Sequence, residues 1–251
     1  KRVDNVTVLG SVAYLSPALM APSLPLIFPK LLEITTEPKK ELQNAATAAL
    51  EQIASVVENP EIKPLVPVLI QALKDPFDST FNALQSMAHT SFAYAIDPAS
   101  LALIVPVVMN GMKNHKVEAK QAAIKVTAAL CALIMDIESI LPYKEDFLKN
   151  LKQFTISPIP DVRKVAAVGL ATFYKEVGPD NCPDVMDWLM ETLQGKDISP
   201  AVMSGASQGV SRCLLAQGIE STSVQIPHLI AQTKSPDAGV RTAHFSLFAT
   251  M

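Results

Sequence analysis

Apolar residues recur along this chain at helical spacing, in segments broken by short stretches rich in proline, aspartate and serine. Val162, Val165, Ala166 and Gly169 fall on one face of a helix, the pattern of a packed stripe. Two kinds of helix alternate. The first carries a proline within an apolar run: Phe28-Pro29-Lys30-Leu31-Leu32, Val66-Pro67-Val68-Leu69, Val105-Pro106-Val107-Val108 and Ile226-Pro227-His228-Leu229. The second has small residues near its start: Ala45-Ala46, Ala122-Ala123, Ala166-Ala167 and Gly205-Ala206. The turns between them hold Pro and Asp. Ser157-Pro158-Ile159-Pro160-Asp161-Val162-Arg163 is echoed by Ser235-Pro236-Asp237-Ala238-Gly239-Val240-Arg241. Proline suits a first helical turn, whose N–H has no helical partner. Asp and Ser nearby predict side-chain caps.

The alternation is periodic. Taking Ala46, Ala83, Ala123, Ala167, Ala206 and Ala243 as anchors, successive steps are 37, 40, 44, 39 and 37 residues. Two helices per period of about 40 residues is the signature of HEAT repeats. The predicted fold class is all-α: a right-handed superhelix of antiparallel helix pairs. Residues 1–251 form a single array of about six repeats, with residues 1–20 as the second helix of an earlier one. Each pair cannot bury its apolar face alone, so the array has to stack. Lys1 in place of a Met and an end inside a helical pattern predict a fragment of a much longer chain.

Composition agrees. Hydrophobic residues make up 49%, aromatics only 6%, with nine glycines against nineteen prolines. That mix fits many short helices better than a sheet. The net charge of −3 predicts no nucleic-acid partner by itself. Its distribution changes the picture. Lys113 to Lys175 holds ten basic and six acidic residues, whereas Glu176 to Asp197 holds six acidic and one basic. Two such stretches mark either two contact surfaces or solvated helix faces. Lys113, Lys116, Lys120, Arg163 and Lys164 lie at turns and helix starts, and are the candidate RNA contact. Lysine dominance suits phosphates rather than bidentate base reading. No aromatic residue interleaves with them, so base stacking is not expected.

Other chemistry is sparse. Cys131, Cys182 and Cys213 are too few and too scattered for a disulfide framework or a zinc site, which points to a reducing compartment. There is no phosphate-binding glycine loop, and the four histidines are far apart, so neither cofactor nor metal is expected. The longest apolar run, Leu101 to Met109, contains Pro106 and falls far short of a membrane span. Gly205-Ala206-Ser207-Gln208-Gly209 matches the nucleophile elbow of hydrolases, but that motif needs a strand before it. Inside a helical repeat its small residues are read as packing. Trp188 fits a core stripe, with a partner anchor as the alternative.

Longer segments carry a resemblance. Phe92-Ala93-Tyr94-Ala95-Ile96-Asp97-Pro98 through Pro106 is similar to a stretch shared by fungal elongation factor 3 and the translational activator called general control nonderepressible protein one. Asp184 to Leu193 and Ser204 to Val210 resemble the activator alone. The likeness runs over roughly residues 10–235, with the elongation-factor-3-like part at about 10–180. It implies a non-catalytic, cytoplasmic scaffold of translational control. Such a scaffold binds ribosomes and an ATP-binding-cassette protein partner. It promotes activation of the general-control kinase, which phosphorylates initiation factor two alpha in amino-acid starvation, through regions mostly outside this chain. DNA and membrane are not among the implied partners. Met203 departs from the family pattern, where a basic residue is expected, as does Lys144-Glu145-Asp146, where a more apolar stretch is expected. The alternatives are the HEAT region of an elongation-factor-3-like ATPase and a generic HEAT adaptor.

Overall fold

The small residues that mark the period are the places where helices meet. The computed structural model describes residues 1–15, 17–195 and 198–251. It opens with α1 (Arg2–Leu15) and the single turn α2 (Pro17–Met20). Helix pairs follow: α3 (Leu24–Thr35) with α4 (Lys40–Ser55), α5 (Val66–Lys74) with α6 (Pro76–His89), and α7 (Pro98–Lys113) with α8 (Val117–Cys131). Then come α9 (Lys144–Thr155) with α10 (Pro160–Val177), α11 (Asp184–Gln194) with α12 (Pro200–Gln217), and α13 (Ile219–Gln232) with α14 (Ala238–Thr250). Ala46, Ala83, Ala123, Ala167, Ala206 and Ala243 all fall in second helices, and each is at most 2% exposed. No strand occurs among the described residues. The protein is all-α and built from antiparallel helix pairs, as the period predicts.

Two compact units make up the chain: residues 1–126 with 133–144, and residues 127–132 with 145–251. In the first, α1 lies along α4 and takes the place of a preceding second helix. A Cβ on Gly10 would stand 2.8 Å from the Cα of Ala49, so only glycine allows this approach. Phe28, Leu31, Leu50, Ile53, Leu69 and Leu84 fill the core. Burying each large apolar side chain stabilises by about 1.5–3 kcal/mol. The extended segment before α7 is held by side chains of the preceding pair. The Glu61 carboxylate accepts from the Ala93 and Tyr94 N–H groups at 2.9 and 3.1 Å, and Asn59 donates to the Ala95 carbonyl at 2.9 Å. Asp97 then caps α7 by accepting from the Ser100 N–H at 2.9 Å.

In the second unit α12 is the centre, packing against α10, α11 and α14. The Phe147 and Phe173 rings meet at 5.7 Å between centroids, joining α9 to α10. Val162, Ala166 and Gly169 are buried as the stripe predicts, and Val165 is half-buried at its edge. Gly178 and Gly218 end α10 and α12 at φ of +93° and +92°, a backbone region that favours glycine. Within the first helices, Pro29 and Pro227 face outward while Phe28, Leu31 and Leu229 turn inward. A proline there removes one helical hydrogen bond without disturbing the core. Pro67 differs: it stands at the start of α5, not inside it.

The tightest approach is at α12. A Cβ on Gly205 would come 1.9 Å from the Thr155 carbonyl oxygen, and one on Gly209 would come 2.6 Å from Leu189 Cδ2. Gly205→Ala therefore forces backbone apart. Together with Ala167→Leu, at a site 1% exposed, it is expected to destabilise by roughly 1–3 kcal/mol. Denaturant unfolding measures this, and unchanged midpoints for both variants would contradict the packing.

Candidate nucleic-acid interface

The lysines proposed for anion contact divide between the two units. In the first, Lys113 ends α7, where a cation complements the exposed carbonyls of a helix C-terminus. Asn114 Oδ1 accepts from the Lys116 N–H at 2.9 Å and shapes the turn into α8. Lys113 and Lys116 are exposed, and Lys120 is half-buried. The Lys116 Nζ stands 5.8 Å from the centre of the Phe81 ring, a cation–π contact that fixes its direction. Lys113, Lys116 and Phe81 wall a cleft of about 440 Å³, together with Pro76, Phe77, Asp78, Asn82, Asn110 and His115. Phe77 is 86% exposed. The run from Lys113 to Lys120 has no aromatic of its own, and stacking was not expected from it. The rings beside it come from the preceding helix pair.

In the second unit Lys164 is exposed but Arg163 is not. Arg163 is 8% exposed, and its Nη1 donates to the Ser157 and Pro158 carbonyls at 2.7 and 3.0 Å. The same device recurs at Arg241, which donates to the Ser235 and Pro236 carbonyls at 2.7 and 2.8 Å. The arginine in each Ser-Pro turn therefore ties the turn to the helix it starts. The reading of Arg163 as a phosphate contact is corrected on that ground: its guanidinium is buried and committed to backbone. Met203 occupies the equivalent fourth position of α12, and its Cε lies 2.8 Å from where a Gly239 Cβ would stand. There a packing side chain replaces the tie.

The remaining sequence candidates resolve into structure. Ser207 lies within α12 with no strand before it, and its hydroxyl is placed against the Met203 and Ala243 carbonyls at 2.8 and 2.9 Å. Buried His244 directs Nδ1 at the Val240 carbonyl at 2.8 Å. Trp188 is half-buried on α11, under the Lys152 Nζ at 5.3 Å from its ring centre. The three cysteines are buried, and none of them is in a disulfide. Burial pushes the Cys131 and Cys213 thiols up to about 12. Among the described residues no cluster of His, Cys, Asp or Glu could hold a metal, and no helix is long and apolar enough to cross a membrane. Lys196 and Asp197, which close the acidic stretch, lie outside the described residues.

Residues 79–183 match the family model described as Elongation factor 3/GNC1 HEAT repeat. Over 98% of its length the chain is 36% identical to Protein ILITYHIA of Arabidopsis thaliana and 34% identical to Stalled ribosome sensor GCN1 of Homo sapiens. Over 97% it is 32% identical to eIF-2-alpha kinase activator GCN1 of Dictyostelium discoideum. The chain spans 9% of the length of each of these relatives.

Two expectations follow from the side-chain environments. Arg163→Ala should lower stability by roughly 1.5–3 kcal/mol, because two part-buried turn carbonyls lose a charged donor. Lys164→Ala should stay within about 0.5 kcal/mol. Thermal denaturation of the two variants checks the contrast. At pH 8 the Cys131 and Cys213 thiols, neutral up to about 12, should resist a thiol-labelling reagent until the protein is unfolded. Fast labelling of the native chain would contradict their burial.

Proposed function

The chain belongs to the elongation factor 3/GNC1 HEAT-repeat family, as a segment of GCN1 type, and we propose that it is a non-catalytic scaffold of translational control. The observation that carries this reading is likeness along almost the whole chain to proteins named for ribosome sensing and for activating the eIF-2-alpha kinase. In this reading the protein works in the cytoplasm, on ribosomes. An ATP-binding-cassette protein is a further partner. The kinase is engaged mostly through regions outside residues 1–251.

The helices supply rigid positions, and the turns supply charge. Lys113, Lys116 and Lys120 in the first unit, and Lys164 in the second, contact RNA phosphates. Each neutralised phosphate releases condensed counterions, so the contact weakens with salt. With about four phosphates engaged, log affinity falls with log salt at a slope of roughly −3 to −4.

Ribosome pelleting of the full chain across a salt series tests this. Reversing Lys113, Lys116, Lys120 and Lys164 to Glu should weaken binding and flatten the slope. Unchanged pelleting at every salt concentration would overturn the assignment of these lysines.

A further inference from the structure

The cleft at Lys113 and Lys116 contains more than phosphate contact requires. Phosphates are satisfied by cations on an open surface. Here the cations border a large aromatic ring left 86% exposed at the start of α6. A single exposed apolar residue is ordinary on a protein surface. Phe77 is set apart by its neighbours. Phe81, one helical turn on, directs the Lys116 ammonium from 5.8 Å. Asn82 and Asn110 line the same cleft of about 440 Å³, a volume in the range of small-ligand sites. An amide side chain offers both donor and acceptor, the combination displayed by the edge of a nucleobase.

We propose that this cleft receives an unpaired RNA base, its face on the Phe77 ring, with Lys113 and Lys116 on the flanking phosphates. This rests on the phosphate contact proposed above and names what the same site reads. An unstacked base supplies a flat π-face to an aromatic ring, and single-stranded loops are where proteins find such bases. A duplex keeps its bases stacked inside and has no use for Phe77. An acidic peptide would complement the lysines, but it would meet the Asp78 carboxylate at the rim. That carboxylate instead accepts from an exocyclic amine of a base. The charges and the amides together favour RNA.

Fluorescence anisotropy with the full chain tests the proposal, using a short single-stranded RNA, an RNA duplex and a polyglutamate competitor. Because Phe77 is exposed, Phe77→Ala leaves the core intact. It should weaken single-strand binding by roughly 5- to 150-fold, the loss of one base–aromatic stack. Duplex binding should not change, which also shows that the variant is folded. Phe77→Trp should restore single-strand binding. The double variant Lys113→Glu with Lys116→Glu should weaken both RNAs. Equal single-strand affinity for wild type and Phe77→Ala would overturn the base site while leaving the phosphate contact standing. So would an equal loss on both RNAs. Displacement of the single strand by polyglutamate, dependent on Phe77, would identify an acidic peptide as the occupant and overturn it too. Loss of the lysine effect on ribosomes as well as on both RNAs would remove the phosphate contact itself.

Discussion

The structure depends on how closely a second helix can approach the helices of the pair before it. A helix pair presents apolar surface on more sides than its own partner can cover, so neighbours must be brought near. Alanines at the period and glycines at the tightest points permit it. At Gly205 a single methyl would overlap the Thr155 carbonyl oxygen, at 1.9 Å. At Gly10 it would press on the backbone of α4. Close-packed interiors do not absorb such volume by flowing. The small residues thereby set the spacing of the pairs within each unit, and that spacing sets where the turns emerge.

Turns are made rigid by means of their own. Arg163 and Arg241 each tie a Ser-Pro turn to the helix that follows, donating to two carbonyls of the turn. Before α7 a carboxylate does the equivalent work, since Glu61 catches two backbone N–H groups of the segment that most resembles the translational activator and the elongation factor. Charged residues in these places serve the backbone and are lost to a partner. Lys113 and Lys116, at the α7–α8 turn, are exposed and face a cleft. Two basic residues adjacent in sequence, Arg163 and Lys164, thus have separate roles.

A repeat scaffold places equivalent turns of successive pairs side by side, and this is how a cleft forms without a loop long enough to build one. Phe77 and Phe81 come from the second helix of one pair, and Lys113 and Lys116 from the turn of the next. In this cleft one pair supplies the rings and the next supplies the lysines. Motifs that look chemical in sequence can equally be products of packing. In Gly205-Ala206-Ser207-Gln208-Gly209 the glycines give clearance to Thr155 and Leu189, and the Ser207 hydroxyl faces helix carbonyls.

The sequence by itself determined the helical class, the period and the register of the pairs. Ala83, one of the six anchors, is 1% exposed. Those features are local: helical spacing, small residues at fixed intervals and proline-marked turns act over a few residues and leave their trace in order along the chain. Tertiary structure decided which charges are available. Arg163 and Lys164 have the same sign in sequence, and only the position of the turn carbonyls shows that one is buried and bonded while the other meets solvent. It also decided that aromatic rings stand beside Lys113 and Lys116, because that neighbourhood is made by stacking one pair on the next. Packing between pairs sets the distances across a repeat, and a pattern read along one helix carries no record of them.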